Sequence, residues 1–501
     1  MKNSQILKRI LIFILAFALI TGLGTFMRNK YPSMTTMHQY QNQRLAWSSC
    51  YDNFQCATLQ VPIDYKKPES GSFGLALLRY KATDQKNRLG SLVVNPGGPG
   101  ASGKQYAYNA EYILSPAVLA QYDIVGFDPR GVGDSAPIEC LSNNETDANY
   151  SADSKPDSAI EVAAMAASAK QYAAKCLAKN KNVANYSTAN SARDMDILRN
   201  ALGDSHLNFL GKSYGTYLGT LYAKFFPANV GRMVLDGAID PKTSAVEQTM
   251  FQGMGFDLAL HAFIRNCYKK NNCPLKKPIA NSINQIIDLF HQAAIHPLPG
   301  PKNRQATESL LVLGTASALY DDYSGWPKLR IALRQAAKNN GTTFLELADE
   351  YSGRNANGTY ANNETDAAFV IDCLDWPEVR TLDEMAVDAK AFAVAAPVFG
   401  PYVAYGSLAC KYLPPPADGA AATKITTIKT TPIMVIGTKR DPATPYQWAQ
   451  SLHETIQGSR LISLNADGHT GHGRGSECVD SAVDKYFLTA VLPGKDLACS
   501  L

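Results

Sequence analysis

The sequence predicts an α/β protein: a mostly parallel sheet covered by helices, with a largely helical cap inserted before the last strands. Three observations carry this. Between Ser91 and Ala238 short apolar runs alternate with helical segments, the rhythm of a parallel sheet with helices on both faces. Residues from about 242 to 425 then read as mostly helical. Strands resume only at Pro432–Ile436 and Leu461–Leu464, so the helical stretch interrupts a sheet and is not a separate C-terminal domain. The expected divisions are 1–30, 31–241 (core, first part), 242–425 (cap) and 426–501 (core, C-terminal part).

The first division is a targeting segment. Lys2, Lys8 and Arg9 precede an uncharged apolar run from Ile10 to Met27, which Arg28 and Lys30 close. A positive flank followed by such a run predicts export. Its 18 residues fit either a cleaved signal or an uncleaved anchor, so membrane contact is expected only through this segment. Ten cysteines follow it in successive pairs: Cys50/Cys56, Cys140/Cys176, Cys267/Cys273, Cys373/Cys410 and Cys478/Cys499. An even count behind an export signal predicts disulfides. No pair has the C-x-x-C spacing of a zinc or thiol-redox site, and no motif calls for a metal or organic cofactor. The 48 Lys and Arg nearly balance 44 Asp and Glu without a basic stripe, which argues against a nucleic-acid partner.

In the core, each strand runs into a turn-rich cluster. Leu92–Val94 leads to "NPGGPG", Ile124–Phe127 to "DPRGVGDS", and Met233–Leu235 to "DGAIDP". Ligands of open parallel sheets bind at these strand ends. The stretch "LNFLGKSYGTYLG" is the most informative. Its apolar run Leu207, Phe209, Leu210 stops at Gly211, and a helical pattern from Tyr217 to Phe225 follows. Ser213 stands at the junction with a glycine two places away on either side, the pattern of a nucleophile elbow.

A serine needs a base, and the base an orienting acid. Of eight histidines, His469 and His472 in "NADGHTGHG" follow the last strand that the sequence reveals. His469 is favoured for its place in the tight Asp467–Gly468 turn; His472 is expected at the surface. Asp441 in "RDPATP" is the expected acid, giving the chain order Ser, Asp, His. Asp236 and Asp240 are rivals, with Asp236 read as turn chemistry. The oxyanion hole is assigned to the N–H groups of Tyr214 and of Gly98, with Gly97 as the alternative.

"NPGGPG", "DPRGVGDS", "GKSYGTYLG", "VLDGAIDP", "RDPATP", "GHTGHG" and the tail "SECVDSAVDKYFLTAVLPGKDLAC" occur in one order from about Trp47 to Cys499. In this the chain resembles the α/β-hydrolase peptidases related to bacterial tripeptidyl aminopeptidases and proline iminopeptidases. The resemblance implies the α/β-hydrolase fold, with Ser213 as nucleophile, Asp441 as acid and His469 as base. It also implies peptide substrates, cut near a free amino terminus beneath a helical cap. Two departures stand out. Asn95 replaces the histidine that begins the iminopeptidase oxyanion loop, and no cysteine precedes Cys50 to take a lipid.

An enzyme that selects chain ends must hold the substrate's ammonium group, and a buried ammonium needs carboxylates. "ETDAAFVIDCLDWPE" offers Glu364, Asp366, Asp372, Asp375 and Glu378, with Asp372 and Asp375 placed first. A lipase or esterase would use the same triad; the cap's acidic residues favour a peptide site. A non-catalytic binding module predicts a missing triad member, and none is missing.

Overall fold

The computed structural model describes residues 34–377, 379–419 and 425–501. The expected targeting segment, Ile10 to Met27, and Glu378 lie outside these residues. Among the described residues no helix is long and apolar enough to cross a membrane.

The described residues form twelve strands: β1 (Ser48–Cys50), β2 (Phe54–Pro62), β3 (Ser72–Tyr80), β4 (Gly90–Asn95), β5 (Tyr122–Phe127), β6 (Leu207–Lys212), β7 (Val230–Asp236), β8 (Leu298–Pro299), β9 (Gln305–Ala306), β10 (Met434–Arg440), β11 (Arg460–Asp467) and β12 (Leu497–Ser500). Ten of them make one sheet in the order β1-β2-β3-β5-β4-β6-β7-β10-β11-β12. From β5 onward all neighbours are parallel, while β1, β2 and β3 are antiparallel. β4 and β5 are buried at every position, as central strands covered by helices on both faces must be. The antiparallel edge and β12 were not legible from alternating hydrophobicity; β12 is only four residues long, Leu497–Ser500.

The order of β7 and β10 confirms the insertion. They are neighbours in space, with Met434 beside Val234, although the whole cap separates them in sequence. The cap has its own apolar core, in which Phe263, Phe290, Trp326 and Phe344 are buried together. The acidic helix Glu364–Asp375 belongs elsewhere: Ala367, Val370, Ile371 and Leu374 join the main core beside Tyr214 and Tyr217. That helix is therefore part of the main core and is not carried on the cap's outer body.

All five cysteine pairs expected from the sequence are disulfides, and the described chain has no free cysteine. Such a set belongs in an oxidising, extracytoplasmic environment. The "DPRG" arginine is structural. Arg130 is fully buried and pairs with Asp194 through Nε at 2.8 Å and Nη2 at 2.6 Å. Its remaining N–H groups donate to the carbonyls of Ile63, Asn185 and Pro62.

Candidate active site

Ser213 sits between β6 and the helix Tyr214–Phe225 with φ 54° and ψ −126°, a conformation rare for any residue with a side chain. Its neighbours explain why two glycines flank it. A Cβ at Gly211 would lie 2.4 Å from the Gly215 carbonyl, and one at Gly215 would lie 2.8 Å from Asn95 Oδ1. Only glycine allows strand and helix to approach that closely.

The "NPGGPG" loop meets the elbow. A Cβ at Gly97 would stand 2.7 Å from the Lys212 carbonyl and 3.1 Å from the Tyr214 nitrogen, so the two backbones are in contact. The Gly97 N–H is turned onto Asn95 Oδ1 at 3.0 Å. It is thereby engaged, whereas Gly98 (φ 103°) lines the cavity. This arrangement favours Gly98 over Gly97 as the partner of Tyr214 in accepting an oxyanion.

His469 Nδ1 lies 2.8 Å and 3.0 Å from the two oxygens of Asp441. Asp441 is buried and also accepts from the amides of Ala443 (3.0 Å), Thr444 (2.8 Å) and Thr470 (2.9 Å). A carboxylate on Nδ1 holds the proton there and leaves Nε2 as the free base. Ser213 and His469 line the same cavity of about 650 Å³, together with Gly98. The geometry thus brings a hydroxyl, an imidazole and a buried carboxylate into the chain and spatial order of an acyl-transfer relay.

The cap contributes a partner that the sequence did not reveal. The Tyr320 carbonyl accepts the His469 N–H at 2.8 Å, and the Tyr320 ring stands edge-on to the imidazole at 5.3 Å. Nothing in the local pattern around Tyr320 marks it, because the contact joins segments almost 150 residues apart.

Three expectations are corrected. His472 is not a surface residue: it is 3% exposed, and burial together with nearby Lys212 pushes its imidazole down to about 3. Asp236 is not turn chemistry but a fully buried carboxylate, accepting the amides of Gly471 (2.7 Å) and His472 (3.0 Å). Asp375 is buried against Thr188, whose amide donates to it at 2.8 Å and whose hydroxyl donates to its second oxygen. Both its oxygens are thus engaged inside the protein, and at 2% exposure it presents neither to a ligand.

Glu364 and Asp372 behave differently from Asp375. They lie eight positions apart, on one face of the helix, with Ala368 between them at the cavity wall. Glu364 lines the cavity, and its Oε1 would be 3.4 Å from a Cβ at Gly98. Asp372, two turns further along the helix, is exposed and is not among the residues that line this cavity. Burial raises both carboxyls to about 7, and among the described residues neither has a cation or a hydrogen-bond donor. Asp366 instead accepts the Cys140 amide at 2.6 Å and the Tyr172 hydroxyl at 2.8 Å.

Comparison with known proteins places the chain among serine hydrolases. Residues 396–499 match the family described as TAP-like protein. Over 469 residues the chain is 35% identical to serine protease Hip1 of Mycobacterium tuberculosis, covering 89% of this chain and 87% of that protein. It is 36% identical over 490 residues to carboxylesterase B of the same species, covering 91% of this chain and 90% of that one. Over 474 residues it is 32% identical to tripeptidyl aminopeptidase of Streptomyces lividans, with 91% and 86% covered.

Proposed function

The chain is a serine hydrolase of the TAP-like α/β-hydrolase peptidase family, and from that premise we propose that it is an exported exopeptidase. It releases short peptides from the free amino terminus of peptide substrates. In this mechanism His469 takes the Ser213 proton through Nε2 while Asp441 stabilises the imidazolium. Ser213 attacks the carbonyl, and the N–H groups of Gly98 and Tyr214 hold the oxyanion. His469 then protonates the leaving amine, and water hydrolyses the acyl-enzyme by the same steps in reverse order.

The observation that carries the exopeptidase part is a pair of carboxylates, Glu364 and Asp372, that have no cation among the described residues. A substrate ammonium supplies the missing charge. Their spacing also measures length. Eight residues of helix span about 12 Å, and three extended residues span about 10 Å. Glu364, beside the oxyanion loop, is within reach of the amine of a single residue. By this spacing alone, Asp372 would stand about a tripeptide's length from the nucleophile. We assign the tripeptide amine to Asp372, with Glu364 shielding the nearer subsite.

The test compares aminoacyl-, tripeptidyl- and N-acetyl-tripeptidyl chromogenic substrates on wild type, Asp372→Asn and Glu364→Gln. Tripeptides should be preferred, acetylation should remove most of kcat/KM, and Asp372→Asn should erase the difference between free and acetylated tripeptides. Equal cleavage of acetylated substrates by wild type would sink the exopeptidase reading. A second reading, ester hydrolysis, is favoured by the carboxylesterase relative. Faster turnover of simple acyl esters than of any peptide would select it.

A further inference from the structure

A buried ion pair beside the elbow has no part in the relay above. Lys212 precedes Ser213 and ends β6; Asp236 ends β7. Lys212 Nζ lies 3.6 Å from Asp236 Oδ2 and donates to the His472 carbonyl at 2.6 Å. Asp236 accepts the His472 amide, so one residue of the base loop has its N–H on the anion and its C=O on the cation. The Gly471 amide occupies the other oxygen of Asp236. The Ser213 amide, in turn, donates to the backbone carbonyl of Asp236 at 2.8 Å. Asp236 therefore holds the nucleophile through its main chain and the base loop through its side chain. Between them, Thr470 donates its amide to Asp441 and accepts the Thr438 hydroxyl.

A buried pair of this kind is weak support for stability, since an apolar pair of equal volume often does as well. What an apolar pair cannot do is satisfy two loop amides and a carbonyl that are out of water. We propose that Asp236 and Lys212 are positioning residues for His469: their ion pair fixes the base loop against the elbow, so that Nε2 meets the Ser213 hydroxyl. His472 serves through its backbone alone, as its buried imidazole is held neutral.

The proposal rests on the Ser213–His469 assignment but not on peptide specificity. Its assay is therefore a simple p-nitrophenyl ester alongside a tripeptide, with rates expressed per Ser213 titrated by a fluorophosphonate. Asp236→Asn should lower kcat at least 30-fold on both substrates with KM within about threefold. The acid limb of the pH profile should move to lower pH. The groups facing His469 are Asp441 and Thr444 from the β10 loop, Tyr320 from the cap and Ser213, with Glu364 and Glu350 across the cavity. Asp236 also lies within electrostatic reach, so losing its charge disfavours the imidazolium. Lys212→Met, which keeps the carboxylate, should lower kcat in the same way if the Asp236 variant fails to fold. In wild type, hydrogen exchange at the Gly471 and His472 amides should be as slow as in the sheet. An unchanged kcat per titrated site, a rise in KM alone, or fast exchange at those two amides would each overturn the proposal. Full activity in Ser213→Ala would instead remove the underlying assignment.

Discussion

Glu364→Gln should stabilise the protein at neutral pH while impairing it as an enzyme. Burial raises the Glu364 carboxyl from 4.5 to about 7. At about 1.4 kcal/mol per tenfold change in proton affinity, keeping it ionised costs the folded state about 3 kcal/mol. Partial solvent contact lowers that figure toward about 2 kcal/mol. The sign follows from the direction of the displacement. A carboxyl whose folded pKa is raised binds its proton more tightly when folded, so stability is lost as pH rises from 4.5 through about 7. Below 4.5 both states are protonated and glutamine offers no advantage. Thermal unfolding of wild type and variant across pH 4 to 8 reads this directly. For a chain of this size each kcal/mol moves Tm by about 1–2 °C, so the variant should gain about 2–6 °C at pH 8 and nothing at pH 4. A gain that does not depend on pH would show that the ionised carboxyl is not what destabilises the fold, and a loss at pH 8 that a cation already neutralises Glu364. The idea that this carboxylate awaits a substrate ammonium would then fall.

Ser213→Ala should cut turnover by about 10³-fold or more, and a fluorophosphonate should label wild type at Ser213 alone; labelling that survives the substitution would move the active site. Gly215→Ala should cost activity more than folding, because the added Cβ, 2.8 Å from Asn95 Oδ1, pushes the elbow away from the oxyanion loop; full turnover with an unchanged fold would contradict the close approach. As pH falls through about 7, protonation of Glu364 and Asp372 should raise KM for tripeptides but not for acetylated substrates, whose amine is gone. The Cys478–Cys499 bridge closes a loop of 21 residues between the last helix and β12, worth about 3 kcal/mol in the chain-entropy model; replacing both cysteines by serine should lower Tm, and an unchanged Tm would place that tie outside the cooperative unit.

Local pattern alone determined a large part of this protein. Alternating apolar runs and helical segments specify the parallel sheet, because buried strands and amphipathic helices leave different periodicities. The two glycines around Ser213 mark the elbow, since their reason is a local backbone clash. Asp441 and His469 could be placed from chain order, and ten cysteines in successive pairs bridged as their order suggests. Tertiary structure decided what depends on which distant groups share a cavity. Among five acidic residues in one short segment, the sequence had no means to distinguish Asp375, engaged by Thr188 nearly 190 residues away, from Glu364, whose carboxyl has no partner among the described residues. Asp236 and His472 look like turn and surface residues because their partners come from other strands and loops. Tyr320 reaches His469 only because the cap folds back over the sheet edge. Periodicity and backbone strain are written within a few residues of where they act; charge compensation is settled only when the chain has closed around it.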